Sequence, residues 1–276
     1  MAAANPVAQH YGRAGIAERV LAALREANGP GAPVAPEALA PIDHFHGRGF
    51  VATGELAASL DLKPGQRVLD IGSGIGGPAR WIAAKYDIQI TGVDLTPEFC
   101  AAARALNAAC GLADRVTILE GSALDLPVPD AAFDRAYSQN VVMNIADKPR
   151  FYREAFRVLR PGGLLALANL CAGEAGPPHF PVPWAATPAT SFLVSPEEMR
   201  ADLLAAGFEI VRFVEAGEAQ RQAAARERRK MESEPPPRLS PHLVVGERLL
   251  EMRRNSARSH EEGRTKPVEA LVRKPG

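Results

Sequence analysis

The sequence predicts an α/β protein with a doubly wound, mostly parallel sheet that helices cover on both faces. Two observations support this fold class. Apolar runs of strand length alternate with amphipathic runs of helix length from about residue 67 to residue 214, a pattern typical of parallel sheets with helical crossovers. The first apolar run, Val68–Ile71, also leads directly into a glycine-rich turn and then into a helix-forming stretch. Ligands of such sheets bind beyond the carboxyl ends of the strands.

The elements follow in order along the chain. A helix is predicted from Ile16 to Ala27, because apolar residues recur there at helical spacing, and a second helix covers about 51–60. The predicted strands cover residues 67–71, 88–93, 115–119, 133–137, 163–170, 208–214 and 268–272. The predicted helices between them cover residues 77–85, 97–110, 148–159 and 196–206.

The glycine-rich turn after the first strand fits two cofactor motifs. Gly72, Gly74 and Gly77 match the dinucleotide fingerprint. Gly72, Gly74 and Gly76, preceded by Asp70, match a turn that binds S-adenosylmethionine. Glycines allow positive φ and let a ligand approach bare backbone. Asp70 favours the second motif, because its carboxylate would repel a pyrophosphate but suits the ammonium and sulfonium groups of S-adenosylmethionine.

A second acidic residue follows the next strand. Asp94 stands about 20 residues after the glycines, where a carboxylate binds the hydroxyls of a ribose. Both cofactor motifs require such a residue. Asp94 therefore predicts a nucleoside ligand without choosing between them.

The composition limits the class of protein. The 32 basic residues balance the 32 acidic ones, which argues against a dedicated nucleic-acid binder. Cys100, Cys110 and Cys171 are spaced neither as metal ligands nor as a disulfide framework. We expect no bound metal, reduced thiols and a cytoplasmic location. The start of the chain lacks the pattern of a signal peptide, and no apolar run approaches the ~20 residues that span a bilayer, so no membrane partner is expected.

The succession of motifs resembles the class I S-adenosylmethionine-dependent methyltransferases. The resemblance covers about residues 40 to 215 and is carried by Val68–Gly77, Asp94, Glu120–Pro127, Ala132–Asn140 and Arg157–Leu167. Within the class it is similar to the small-molecule branch, which includes sarcosine/dimethylglycine, phosphoethanolamine and tocopherol methyltransferases. It implies a seven-stranded sheet with an antiparallel last strand.

The chain divides into four parts on this basis. Residues 1–60 form an N-terminal helical cap segment, residues 61–215 the cofactor-binding core, residues 216–262 a helical insertion, and residues 263–276 the last strand. The insertion contains the charged run Arg221–Lys230 and a helix around Leu243–Ser259. It is either a lid over the site or an arm that joins two copies in a homodimer, and both interpretations stay open.

The resemblance implies S-adenosylmethionine as the cofactor and S-adenosylhomocysteine as the product. Asp70 is expected to hold the ammonium group, Asp94 the ribose hydroxyls, and Leu95 to lie against the adenine. Ser122 stands where many relatives have an acidic residue, so its hydrogen bond to the adenine is weaker. The full set of expected cofactor-binding residues is Asp70, Gly72, Ser73, Gly74, Gly76, Asp94, Leu95, Ser122, Ala123 and Gln139.

The methyl acceptor is expected to bind after the fourth strand. Asn140, Met143 and Asn144 follow that strand, and their amides argue against a strongly cationic acceptor. The segment Pro177–Trp184 is rich in proline and aromatic residues and predicts an apolar wall that includes Trp184.

Three histidines are candidates for a base or a closing contact. His44 and His46 lie in the segment Asp43–Gly49, where related enzymes close over the methionine end of the cofactor, and His179 lies in the predicted wall. Surface or structural histidines are the competing interpretation.

The predicted function is methyl transfer to nitrogen or oxygen of a small-molecule metabolite by in-line displacement. A nucleotide-dependent oxidoreductase is the first alternative, and Asp70 and the lack of a second dinucleotide-binding half argue against it. A protein that binds the cofactor without transferring methyl groups is the second.

Overall fold

The seven strands form one sheet in the order β3-β2-β1-β4-β5-β7-β6. The computed structural model describes residues 6–29, 31–44, 48–215 and 238–276, with positions 217, 222, 225, 226, 229 and 233. The strands are β1 (Arg67–Ile71), β2 (Gln89–Asp94), β3 (Val116–Glu120), β4 (Phe133–Gln139), β5 (Leu159–Ala172), β6 (Glu209–Glu215) and β7 (Thr265–Arg273). Strands β1 to β5 are parallel, and β7 runs antiparallel to β5 and β6. The predicted fold class is confirmed.

The helices that pack around this sheet are α1 (Pro6–Tyr11), α2 (Ile16–Asn28), α3 (Pro36–Asp43), α4 (Gly49–Ser59), α5 (Gly77–Tyr86), α6 (Pro97–Ala109), α7 (Lys148–Val158), α8 (Pro196–Ala205), α9 (His242–Val245) and α10 (Leu249–Glu261). The single helix predicted near Leu243–Ser259 is two helices, because Gly246 with φ 98° ends α9. The charged run Arg221–Lys230 lies mostly outside the described residues. None of the described helices has the length and apolar character that crossing a membrane requires.

The sheet has an apolar core on each face. Successive residues of a strand point to opposite faces. Leu69 packs with α7 and α8 residues such as Phe151 and Leu203, whereas Val68 packs with α4 and α5 residues such as Leu56 and Ile82. Each fully buried leucine stabilises the fold by roughly 2 kcal/mol. Both faces of the sheet are therefore buried, as expected for a parallel sheet.

The order of the strands reverses between β1 and β4. β1 pairs with β2 on one side and with β4 on the other, so the chain winds outward in both directions from this point. A crevice opens at such a reversal, beyond the carboxyl ends of the strands. The carboxyl ends of β1, β2 and β4 meet there.

A buried ion pair attaches the N-terminal segment to the glycine-rich turn. Arg80 on α5 is fully buried, and its guanidinium donates to Asp43 Oδ2 (2.7 Å), Ile75 O (2.7 Å) and Asn107 Oδ1 (2.9 Å). Asp43 ends α3, a helix absent from the sequence prediction. The pair thus joins α3, the turn and α6 in one network.

Candidate active site

The turn between β1 and α5 is built from glycines that no other residue could replace without strain. Gly72, Gly74 and Gly76 have φ values of 83°, 54° and 78°. A Cβ atom on Gly72 would overlap the side chain of Val141. The N–H groups of Gly72 and Ser73 both donate to Val93 O, at 2.8 and 3.1 Å. The turn is therefore fixed against β2 and presents bare backbone to the crevice.

Asp94 at the end of β2 fastens this turn from the other side. Its Oδ2 accepts from the N–H of Gly74 (2.8 Å), and its Oδ1 accepts from the N–H of Thr96 (2.9 Å). Burial raises the pKa of Asp94 despite these hydrogen bonds. Each carboxylate oxygen has a second lone pair, so Asp94 can also accept hydrogen bonds from a ligand.

Asp70 at the end of β1 is a second buried carboxyl. It is 3% exposed, and Tyr137 donates its hydroxyl to Asp70 Oδ2 at 2.9 Å. Burial raises the pKa of Asp70 to about 7, and the hydrogen bond from Tyr137 only partly opposes this shift. A cation bound at Asp70 would favour the ionised form.

A cavity of about 1330 Å³ opens at these strand ends. Ligand pockets commonly measure about 300–1,000 Å³, so this cavity has room for two ligands. The structure brings the following predicted residues together in its lining: Asp70, Gly72, Ser73, Gly74, Asp94, Leu95, Ser122, Ala123, Gln139, Asn140, Met143, Asn144 and Trp184.

Gly76 does not line the cavity. A Cβ atom there would lie 3.0 Å from Arg80 Nη1 and 3.3 Å from Ala103 Cβ, on the side of the turn that faces α5 and α6. Gly76 therefore shapes the turn and starts α5, and the structure gives it no contact with the cavity.

His44 is buried behind the cavity wall and does not line it. Its Nδ1 lies 2.9 Å from Thr53 Oγ1, and the Thr53 hydroxyl donates to Gln139 Oε1 at 3.3 Å. Burial and the nearby positive charge of Arg80 lower the pKa of His44 to about 4. A neutral His44 orients Thr53, and Thr53 orients the Gln139 amide. His44 therefore reaches the cavity only through Thr53 and Gln139, and its role as a base or substrate contact stays a prediction.

The structure places His179 at the surface, away from the cavity lining. Its Nε2 is 2.7 Å from Glu262 Oε2. Glu262 also accepts from Arg258 and Arg264, so His179 belongs to a surface ion-pair network. His46 lies outside the described residues.

The far side of the cavity has an apolar wall held by one amide. Met143 and Trp184 pack in a small apolar cluster. Asn144 donates to Trp184 O (2.7 Å) and Thr190 O (3.1 Å), and its Oδ1 accepts from Tyr11 of α1 (3.3 Å). The hydrogen bonds of Asn144 therefore connect three separate segments of the wall.

Several residues that line the cavity were absent from the sequence prediction. They include Asn169 on β5, Arg253, Ser256 and His260 on α10, and Thr265 on β7. Arg48, another cation in the lining, pairs with Glu55 and Glu269. Arg253, Ser256 and His260 recur at helical spacing in the sequence, which was the available signal for a shared face.

The sheet order, the glycine turn and the two strand-end carboxyls together define a class I methyltransferase fold. The comparisons agree. The profile of a family described as "Methyltransferase domain" matches residues 69–167. The O-methyltransferase resE of Aspergillus sclerotiorum is 33% identical over 216 residues, which are 76% of this chain and 78% of that protein. The chain therefore belongs to the S-adenosylmethionine-dependent methyltransferase family.

Other relatives share part of the chain or the fold. Phosphoethanolamine N-methyltransferase 1 of Arabidopsis thaliana is 36% identical over 141 residues, 49% of this chain and 28% of that protein. The chain thus spans less than a third of its length. The crystal structure of the [4+2]-cyclase SpnF has a TM-score of 0.63, 26% identity and coverage of 94% and 93%. Haemonchus contortus phosphoethanolamine N-methyltransferase 2, solved with S-adenosyl-L-methionine, has a TM-score of 0.67, 22% identity and coverage of 83% and 53%.

The residues of the crevice fit S-adenosylmethionine. A Cβ at Gly72 would overlap the side chain of Val141, so Gly72 offers only backbone to the cavity. Ser73 Oγ is buried in this lining without a hydrogen-bond partner among the described residues. Asp70 and Asp94 supply carboxyl groups at two points of the same cavity, as a ligand with an ammonium group and ribose hydroxyls requires.

Proposed function

We propose that the protein transfers a methyl group from S-adenosylmethionine to a nitrogen or oxygen atom of a small-molecule metabolite. The observation that carries this proposal is the cavity of about 1330 Å³, which joins the glycine turn and the buried carboxyls to an apolar wall. Such a volume accommodates the cofactor and an acceptor side by side. The relatives named above include N- and O-methyltransferases, and this supports both accepting atoms.

The cofactor supplies a methyl group already activated on a sulfonium. Gly72–Gly74 would lie against its methionine and ribose portions, with Asp70 on the ammonium group and Asp94 on the ribose hydroxyls. Leu95 would pack against the adenine, and Ser122 would contact its edge. The support for these roles is that every one of these residues lines the same cavity.

The chain's part in transfer is to position the acceptor and exclude water, because displacement at an activated methyl depends on alignment. Thr53 occupies Gln139 Oε1, so the Gln139 amide nitrogen is directed away from Thr53. This nitrogen is buried and has no partner among the described residues. It would donate a hydrogen bond to the acceptor, while Met143 and Trp184 supply an apolar surface. Neutral amides and apolar walls favour a moderately hydrophobic acceptor.

The lid interpretation of the insertion is favoured over the dimer arm. Leu249, Arg253, Ser256 and Ala257 of α10 line the cavity. In addition, Asn255 donates to Pro181 O at 3.0 Å, which attaches the helix to the acceptor wall. A segment with these contacts covers the acceptor within its own chain.

Calorimetric titration with S-adenosylhomocysteine, with NAD as the control ligand, tests the cofactor. We expect micromolar binding of S-adenosylhomocysteine and no heat from NAD. An acceptor screen with a labelled methyl donor then tests transfer to amines, phenols and alcohols. Binding of NAD alone would revive the oxidoreductase alternative, and cofactor binding without transfer to any acceptor would leave a binding protein.

A further inference from the structure

The end of α10 and the start of β7 place two polar side chains in the cavity lining. His260 is 9% exposed and Thr265 is 2% exposed, and both residues line the cavity. His260 Nδ1 lies 3.0 Å from the backbone O of Thr265. A carbonyl oxygen only accepts hydrogen bonds, so Nδ1 is the donor, and in the tautomer that this bond selects Nε2 carries a lone pair.

The remaining polar atom of each side chain has no partner among the described residues. These atoms are His260 Nε2 and Thr265 Oγ1, and both are buried. Buried polar atoms are nearly always hydrogen-bonded, and an unmet one destabilises the fold. His260 Nε2 can accept a hydrogen bond, and Thr265 Oγ1 can donate one. The two residues are already joined by the hydrogen bond from His260 Nδ1 to Thr265 O. The pair therefore matches a single group that both donates and accepts.

We propose that His260 and Thr265 form a hydroxyl-binding subsite for the acceptor. The acceptor's O–H donates to His260 Nε2, and its oxygen accepts from the hydroxyl of Thr265. This inference rests on the proposed function in that the acceptor is taken to occupy this cavity.

The sheet register locates the subsite away from the point of transfer. Gln139 pairs with Ala168, and Ala168 pairs with Glu269. Thr265 pairs with Ala172, four residues further along both strands. At about 3.3 Å per residue, this places Thr265 about 13 Å beyond the end of β4. The subsite therefore selects an elongated acceptor with a hydroxyl at its far end.

The residues around the pair are suited to such a ligand. Ala257, one turn before His260, and Pro267, just after Thr265, line the cavity beside them. Apolar surroundings strengthen a hydrogen bond. They also weaken the binding of a ligand that leaves His260 and Thr265 without hydrogen-bond partners. The acceptor class is thus a mainly apolar molecule with a phenol or alcohol group.

The test uses three small probes of similar shape: phenol, anisole and toluene. Only phenol both donates and accepts. The imidazole ¹⁵N resonance of His260, assigned by its loss in His260→Phe, is followed as each probe is added, with and without S-adenosylhomocysteine. We expect phenol to bind about tenfold more tightly than toluene, anisole to behave like toluene, and the Nε2 resonance to move with phenol.

Two variants and one control complete the design. His260→Phe and Thr265→Val should each abolish the preference for phenol. His179→Gln changes a histidine outside the cavity and should retain it. Equal binding of phenol and toluene, no binding of phenol, or a preference that survives in both variants would overturn the subsite. If the wild-type protein does not bind S-adenosylhomocysteine, the proposed function is overturned. The two failures can be told apart, because the probe titration does not require the cofactor.

Discussion

Replacing Asp70 by asparagine should stabilise the ligand-free protein, and the gain should depend on pH. Asn keeps the size of the side chain and an oxygen that accepts from Tyr137. It removes a carboxyl whose pKa burial raises from 3.8 to about 7. A carboxyl with a raised pKa stabilises the fold only while it is protonated, so its contribution is complete below about pH 4 and is lost as the pH rises through 7.

The size of the effect follows from this shift. A pKa difference of about 3 units corresponds to about 4 kcal/mol between the two protonation states. The unfolding free energy of Asp70→Asn minus that of the wild type should therefore rise by about 1.4 kcal/mol per pH unit from pH 4 to near pH 7, and then level off. Between pH 5 and pH 8 the difference should grow by about 2.5 kcal/mol.

Urea unfolding at pH 5, 6, 7 and 8 measures this difference directly. Asp87→Asn is the matched control, because the Asp87 side chain is 72% exposed and pairs with Arg115 at the surface. Removing that carboxyl reports any general effect of one lost negative charge. A saturating concentration of S-adenosylhomocysteine should reverse the ranking at pH 8, since its ammonium group would pair with ionised Asp70.

Two results would refute the reasoning. A difference that does not change with pH would show that folding leaves the pKa of Asp70 unshifted. A difference that grows as the pH falls would show a lowered pKa. If S-adenosylhomocysteine stabilises Asp70→Asn as much as the wild type at pH 8, then Asp70 does not hold the ammonium group.

Three further changes test other parts of the site. Asp94→Ala should weaken S-adenosylhomocysteine binding by roughly 1.5–3 kcal/mol in calorimetry, because charge-assisted hydrogen bonds are lost. Gly72→Ala should lower the free energy of unfolding measured with urea, because its Cβ overlaps Val141 and its φ is positive. Adding Val141→Ala in the same chain should remove the loss that comes from the overlap and leave about 1 kcal/mol of strain from the positive φ. Arg80→Met should lower the unfolding free energy by about 3–5 kcal/mol, because Asp43 is left buried without its ion-pair partner.

Each of these expectations has a contrary result. Unchanged calorimetric affinity in folded Asp94→Ala would remove Asp94 from the ribose. Additive effects of the Gly72 and Val141 substitutions would show that the two side chains do not compete for space. A loss below about 1 kcal/mol in Arg80→Met, the range of exposed pairs, would show that water reaches the Asp43 carboxylate.

The sequence was sufficient for features whose cause is local. The positive φ angles of one turn require Gly72 and Gly74, and Asp94 stands directly at the end of a strand. Each of these signals is contained in a short segment of the sequence. α3 was not predicted from the sequence. Its Pro36 stands in the first turn, where proline is tolerated, and Pro41 stands near the end of the eight-residue helix.

The sequence was insufficient where a residue acts through a distant partner. His179 pairs with Glu262, 83 residues away, and His44 reaches Gln139 through Thr53. His260 lies close to Thr265 in the sequence, but its place in the cavity depends on how α10 packs beside β7. No pattern in a single segment contains such contacts, because tertiary packing creates them.

The walls of the cavity come from two parts of the chain that differ in their contribution to the apolar cores. The ends of β1, β2 and β4 belong to the elements that bury the two main apolar cores. α10 contributes no residue to either core, although it lines the cavity with Leu249, Arg253, Ser256, Ala257 and His260. Substitutions at the cavity-lining positions of α10 are therefore expected to change the cavity more than the stability of the sheet. Under the proposed function, engineering of a new acceptor specificity should begin at this helix.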